Sequence, residues 1–233
     1  MYELVRFLTG PTPVEPAPRL AAALGLGADD LVVKRDDLIG LGGGGNKVRK
    51  LEILCGQALA EGARTLVTTG AAQSNHARLT AAAGARLGLD VVLVLAGRAP
   101  ARAVGNLVLN SLFGARIVWS GDRAPAETAG VTVKALAADG RAPYLIPFGG
   151  TSAASAAGYA TAARELLDQV PGLAHVVVSA GSGGTMAGLV SVLGPGRVLG
   201  VSCGAVPDAR ATVAALLAEM DPATSRALDR GSP

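Results

Sequence analysis

The chain holds 233 residues, half of them hydrophobic and 17% charged, a balance that suits one large domain or two small ones and argues against disorder. Aromatic residues are only 3%, so the core has to be built from Ala, Val and Leu, the usage of buried parallel strands covered by helices. The net charge of +3 comes from scattered basic residues with no interleaved aromatics, which speaks against a nucleic-acid surface, and no apolar run approaches the roughly 18 residues of a membrane span.

Along the chain, short apolar runs alternate with Ala-rich stretches of helical length. Leu31-Val32-Val33-Lys34 reads as a strand, Val48 to Leu59 as a helix, and Thr65 to Thr68 as the next strand. A helix over 75–87 ends at the Gly88 stop signal. Then come a buried strand from Asp90 to Leu95, a helix from Ala103 to Phe113, a strand from Ala115 to Trp119, a helix over 125–138 and a strand at Tyr144-Leu145-Ile146. The remaining elements are a helix over 152–169, a strand from His175 to Ser179, a helix over 185–193, a strand from Val198 to Ser202 and a helix near 208–219. This rhythm predicts an α/β fold with parallel sheets joined by crossover helices, as one unit or two interlocked ones. No fixed-period repeat or low-complexity linker divides it.

Three segments carry chemistry. In Gly40-Leu41-Gly42-Gly43-Gly44-Gly45-Asn46-Lys47-Val48-Arg49-Lys50, the glycines let the backbone approach a ligand, and the helix that follows turns its positive end toward the loop. Lys47 sits at the junction, where neighbouring cations and burial favour the neutral amine that attacks a carbonyl. A flexible glycine turn with solvated cations fits the same residues. In the second segment, a buried strand runs into Ser179-Ala180-Gly181-Ser182-Gly183-Gly184-Thr185, which opens a helix and gathers amides and hydroxyls around an anion. The dinucleotide fingerprint fails at Met186 and no P-loop lysine is present, leaving a cup for a monophosphate; the plainer alternative is a helix start capped by Ser182 or Thr185. The third segment, Thr69-Gly70-Ala71-Ala72-Gln73-Ser74-Asn75-His76-Ala77-Arg78, again lies between strand and helix, with Ser74 as the ordinary N-cap. All three follow strands, where open α/β sheets bind ligands.

These residues make the chain recognisable. Gly10-Pro11-Thr12-Pro13, Lys34-Arg35-Asp36-Asp37-Leu38, Gly45 to Glu52, Gln73 to Arg78, Gly105-Asn106-Leu107, Ile146-Pro147-Phe148-Gly149-Gly150 and the 179–188 loop together resemble the 1-aminocyclopropane-1-carboxylate deaminase and D-cysteine desulfhydrase family. Its members are pyridoxal 5′-phosphate enzymes of the tryptophan-synthase β-like fold (fold type II). The resemblance implies that Lys47 is the Schiff-base lysine and that Ser74 stands beside the substrate, supporting proton transfer or attack. It implies that Asn75 hydrogen-bonds the cofactor's ring oxygen and that Ser182, Gly183, Gly184 and Thr185 hold the phosphate, with Lys50 adding charge. Ser74, Asn75 and His76 would meet the substrate. The implied division is a large cofactor domain of residues 1–50 and 155–233, with a small α/β domain, 51–154, inserted.

His76 after the Ser-Asn pair matches the desulfhydrases, whereas the deaminases usually carry Gln there. The expected reaction is therefore β-elimination from D-cysteine to pyruvate, ammonia and sulfide. The alternatives are the cyclopropane deaminase and, from another class, a non-catalytic remnant that binds the cofactor. The chain ends at Arg230-Gly231-Ser232-Pro233, where family members continue. The large domain is thus expected to be C-terminally shortened, without the residue facing the pyridine nitrogen and without the substrate-side tyrosine. Uncovered apolar surface and lower stability than full-length relatives are the corollaries. Relatives of the fold commonly pair as homodimers. The N-terminal residues lack a signal peptide's apolar stretch, so a cytoplasmic setting is expected. Cys55 and Cys203 are expected as buried free thiols, and with only His76 and His175 a multi-histidine metal centre is excluded.

Overall fold

A computed structural model describes residues 4–220. The end of the 155–233 segment, including Arg230 to Pro233, lies outside the described residues.

The central element is a four-stranded parallel sheet of order β5-β4-β3-β6, formed by β3 (Thr65–Gly70), β4 (Asp90–Leu95), β5 (Arg116–Trp119) and β6 (Pro143–Leu145). Side chains of adjacent residues point to opposite faces, and the core follows that period of two. Leu66, Val91, Leu93 and Leu95 pack on one face against α2 (Val48–Ala60) and α3 (Asn75–Leu87). Val67, Val92 and Val94 pack on the other against Ala129 and Leu136 of α5 (Pro125–Ala138). In α2 the buried Val48, Leu51, Leu54, Cys55 and Ala58 recur at three- and four-residue spacing, one helical stripe. Ser74 caps α3 by accepting from the Ala77 amide at 3.1 Å, and Gly88 ends it in the left-handed conformation.

A second core joins α6 (Ala153–Gln169), α7 (Gly184–Leu193) and α8 (Ala209–Met220) to the parallel pair β7 (Val176–Ala180) and β8 (Val198–Ser202). Val177, Leu199 and Val201 on this pair are more than half exposed, so apolar surface is open here, as the sequence suggests.

Several expectations need correction. The strand near residue 32, β2 (Val32–Lys34), pairs antiparallel with an unforeseen strand β1 (Val14–Pro16), and a short helix α1 (Pro18–Ala23) separates the two. Val14 stands opposite Lys34 and Pro16 opposite Val32, so the chain folds back on itself here instead of crossing over. The helix expected from Ala103 starts only at Asn106, as α4 (Asn106–Leu112), because Gly105 has φ +55 and is not helical. Cys55 is buried, but Cys203 is exposed in the loop that leaves β8. No helix among the described residues is long and apolar enough to cross a membrane.

Candidate active site

The loops between strands and helices come together around two lysines. The glycine loop is shaped from outside by Arg78 on α3, whose guanidinium donates to the Gly42 carbonyl and, at 2.8 Å, to that of Gly44. Gly44 has φ +81, and a β-carbon there would overlap the Asp37 carbonyl oxygen, so only glycine fits.

Lys47 follows this loop and is half-buried. Burial holds its amine below the ordinary lysine range, and the nearby Cys203 sulfur acts in the opposite direction. Lys50, one turn on, is fully buried. Its Nζ donates to Thr151 Oγ1 at 2.9 Å and lies 3.4 Å from the Gly149 carbonyl, both neutral oxygens. Burial, with the charge of Lys47 second, brings its pKa down to about 7. The start of α7 closes the far side: Thr151 Oγ1 is 2.6 Å from Ser182 Oγ, and a β-carbon on Gly184 would stand 2.7 Å from Lys50 Nζ. Thr185 is buried in the first turn of α7. The structure therefore brings Lys50, Ser182 and Gly184 into one cup, with Thr151 as the bridge.

His76 is buried behind the cup, 4% exposed. Thr68 Oγ1 donates its single proton to the Ile146 carbonyl at 3.1 Å, so its 2.9 Å contact with His76 is accepted from Nε2–H. The imidazole is neutral, with its pKa pushed down to about 3 by burial and then by Lys47 and Lys50. Its Nδ1 lone pair is buried without a hydrogen-bond partner, beside Gly150. The 147–151 turn thus touches both the cup and His76. Ser74 and Asn75 open α3 at the end of β3; Ser74 is half-buried and Asn75 exposed. Asn106 Nδ2 donates to the Gln73 carbonyl at 2.8 Å and to Asn75 Oδ1 at 2.9 Å.

Behind Lys47 runs a charge network. Arg49, 3% exposed, pairs with Asp36 at 2.9 Å and Glu165 at 2.8 Å, and Glu165 also pairs with Lys34 at 2.9 Å. The Tyr159 hydroxyl lies 2.9 Å from Asp36 Oδ2 and 3.0 Å from the Asn46 carbonyl, one residue before Lys47. A cavity of about 570 Å³ lies elsewhere, at the opposite ends of the strands by Thr65, Asp90 and Arg116, away from both lysines.

Sequence reading missed Thr68, Thr151, Tyr159 and Glu165 as members of this arrangement, and the roles of Arg49, Arg78 and Asn106. The Gly149-Gly150 pair was a usable signal for the turn, but lone Thr, Tyr and Glu residues in helices and strands carry none.

The chain is similar to known proteins. The chain is 43% identical over 200 residues to a D-cysteine desulfhydrase of Salmonella typhimurium, covering 81% of this chain and 59% of that protein. It is 43% identical over 186 residues to a putative 1-aminocyclopropane-1-carboxylate deaminase of Pyrococcus abyssi, covering 77% and 55%. The chain therefore spans a little over half the length of these relatives. A crystal structure of an ACC deaminase homologue superposes with a TM-score of 0.84 at 34% identity, over 98% of this chain and 70% of that one. A crystal structure of a threonine deaminase superposes with a TM-score of 0.63 at 28% identity, over 83% of this chain and 59% of that one. The family model for pyridoxal-phosphate dependent enzymes matches residues 5–229, and the chain belongs to that family.

Proposed function

We propose that this chain binds pyridoxal phosphate through Lys47 and supports elimination or deamination of a small amino acid, D-cysteine foremost. The observation that carries the reading is Lys50, a fully buried amine whose partners are neutral oxygens at the mouth of the loop that opens α7. A buried cation without a carboxylate is costly, and a phosphate monoester would supply the missing counter-charge while accepting from the first amides of α7. The residues present therefore fit the cofactor: Lys50, Ser182, Gly183, Gly184 and Thr185 would hold its phosphate, Lys47 its reactive carbon and Asn75 its ring oxygen.

When bound, pyridoxal phosphate supplies an aldehyde that links to an amino group and a ring that takes up the electron pair released at the substrate α-carbon. Lys47, kept below the lysine range by burial, is the amine for the covalent link and, once free, a base for the α-proton. Ser74, half-buried at the start of α3, is the second group able to relay that proton. His76 stays neutral near pH 7 and so acts by shape and lone pair rather than by proton transfer. D-cysteine is favoured because His76 follows the Ser74-Asn75 pair and because of the Salmonella relative. The Pyrococcus relative keeps the cyclopropane amino acid as the second substrate to assay. The division at residues 51–154 and a cytoplasmic setting belong to the same reading; the four-stranded sheet within 51–154 and the two free thiols support them.

The test is a visible spectrum of the protein titrated with pyridoxal phosphate, beside Lys47→Ala. A band in the parent that borohydride fixes onto the Lys47 peptide, missing from the variant, is expected, followed by pyruvate release from D-cysteine. A band with no turnover of either substrate would leave a cofactor-binding remnant. A variant band equal to the parent's would refute the assignment of Lys47.

A further inference from the structure

The amide of Asn75 has a fixed polarity, and side chains with no binding role above fix it. Asn106 Nδ2 lies 2.8 Å from the backbone carbonyl of Gln73, which can only accept, so that terminus of Asn106 must be the nitrogen. Its second proton then points at the Asn75 atom 2.9 Å away, which must be an oxygen. The Arg78 guanidinium, a group with donors only, lies 3.4 Å from the same atom and makes the same demand. Asn75 is exposed, and with Oδ1 engaged twice it presents Nδ2 and its protons outward.

The clamp is built closely. Asn106 also donates its backbone amide to Gln73 Oε1 at 2.9 Å, and Gln73 Nε2 donates to the Val104 carbonyl at 3.0 Å. Gly105 allows this approach: a β-carbon there would stand 2.5 Å from Gln73 Oε1. The start of α4 and the loop before α3 are thereby locked together, and the lock leaves one amide orientation.

We infer that Asn106, backed by Arg78, is a positioning residue that turns Asn75 so that a donor rather than an acceptor meets the cofactor's ring oxygen. This rests on the reading that Lys47 and Asn75 hold pyridoxal phosphate. A donor on that oxygen stabilises its negative charge. Without it, or with a carbonyl turned toward it, the oxygen holds the proton shared with the linked nitrogen more tightly, and the cofactor deprotonates at higher pH.

The experiment is a pH titration of the bound cofactor's visible band in the parent, Asn106→Asp and Asn106→Leu, each checked for fold by circular dichroism. The carboxylate of Asn106→Asp cannot donate to Asn75 and lets its amide flip. Asn106→Leu removes both donors without adding charge, and it keeps the test usable if the new carboxylate disturbs the loop. The expected result is a band in all three proteins, with a midpoint raised in both variants by about one to two pH units, the worth of one hydrogen bond to a charged oxygen. A midpoint that moves only in Asn106→Asp would assign the effect to charge and overturn the inference. So would a band of unmoved midpoint in both. No band in the parent would overturn the cofactor reading and this inference with it, so the two failures are distinguishable.

Discussion

Lys50→Met should make the cofactor-free protein more stable at neutral pH and less stable at alkaline pH. In the parent the Lys50 amine is fully buried and its pKa falls from 10.5 to about 7. At about 1.4 kcal/mol per pH unit, holding this lysine charged costs the fold up to about 5 kcal/mol. Methionine fills a similar volume without charge, and the variant loses one good hydrogen bond, to Thr151, worth about 1 kcal/mol. Thr151 keeps its 2.6 Å partner Ser182, so no buried group is orphaned. Between about pH 7 and 10.5 the unfolded chain binds more protons than the folded one, so the parent's stability rises with pH. Below that window the full cost applies, and the variant should be more stable by as much as about 4 kcal/mol. Above it both states are neutral, the cost vanishes, and the variant should be less stable by about 1 kcal/mol. Urea unfolding from about pH 6 to 10.5 should therefore give stability curves that cross on the alkaline side, with similar m-values. Inorganic phosphate should stabilise the parent by mass action and leave the variant unmoved. A variant less stable than the parent at about pH 6 would refute the reasoning, and equal stabilisation of both by phosphate would remove Lys50 from the anion site.

Gly44→Ala puts a side chain at φ +81 against the Asp37 carbonyl and should cost about 3 kcal/mol, lowering Tm by about 6–12 °C in a calorimeter. A Tm within a degree or two of the parent's would show that the loop can relax. Arg49→Met removes the buried guanidinium from half-buried Asp36 and should lose about 3 kcal/mol near pH 7 in urea unfolding. The hydrogen bonds of Arg49 and Lys34 hold the Glu165 carboxyl below its ordinary range against the upward push of burial. Its share of stability is therefore present above the unfolded carboxylate pKa and lost as pH falls through the folded one, so the deficit of Arg49→Met should shrink in acid. A deficit that grows in acid would contradict the network.

The Arg49 network gives Lys47 a rigid backing. Arg49 and the Tyr159 hydroxyl bind the same carboxylate, Asp36, and Tyr159 also meets the carbonyl of Asn46. The residues on both sides of Lys47 are thus tied to α6, more than a hundred positions away. A backbone held this way on both sides of a lysine loses little further freedom on meeting a ligand, the advantage of a site built on packed helices.

Much of this protein was legible in its sequence by itself. The short apolar runs at 65–70 and 90–95 encode strands covered on both faces, and the core divides their side chains with a strand's period of two. Ser74 and Gly88 mark the ends of α3 through local capping chemistry, which acts within a few residues. The glycine loop before Lys47 and the loop at 181–185 were visible because close backbone approach restricts composition locally. The tertiary structure alone decided who meets whom. Thr151 bridges Lys50 and Ser182 across 101 and 31 positions, and Arg49 reaches Glu165 across 116. Asn106 orients Asn75 from 31 positions away, and Cys203 proved exposed despite its apolar neighbours. Local signals record backbone geometry, which each residue carries with it. Partnership, burial and the proton affinities that follow from burial depend on contacts between distant segments, and these exist only once the chain has folded.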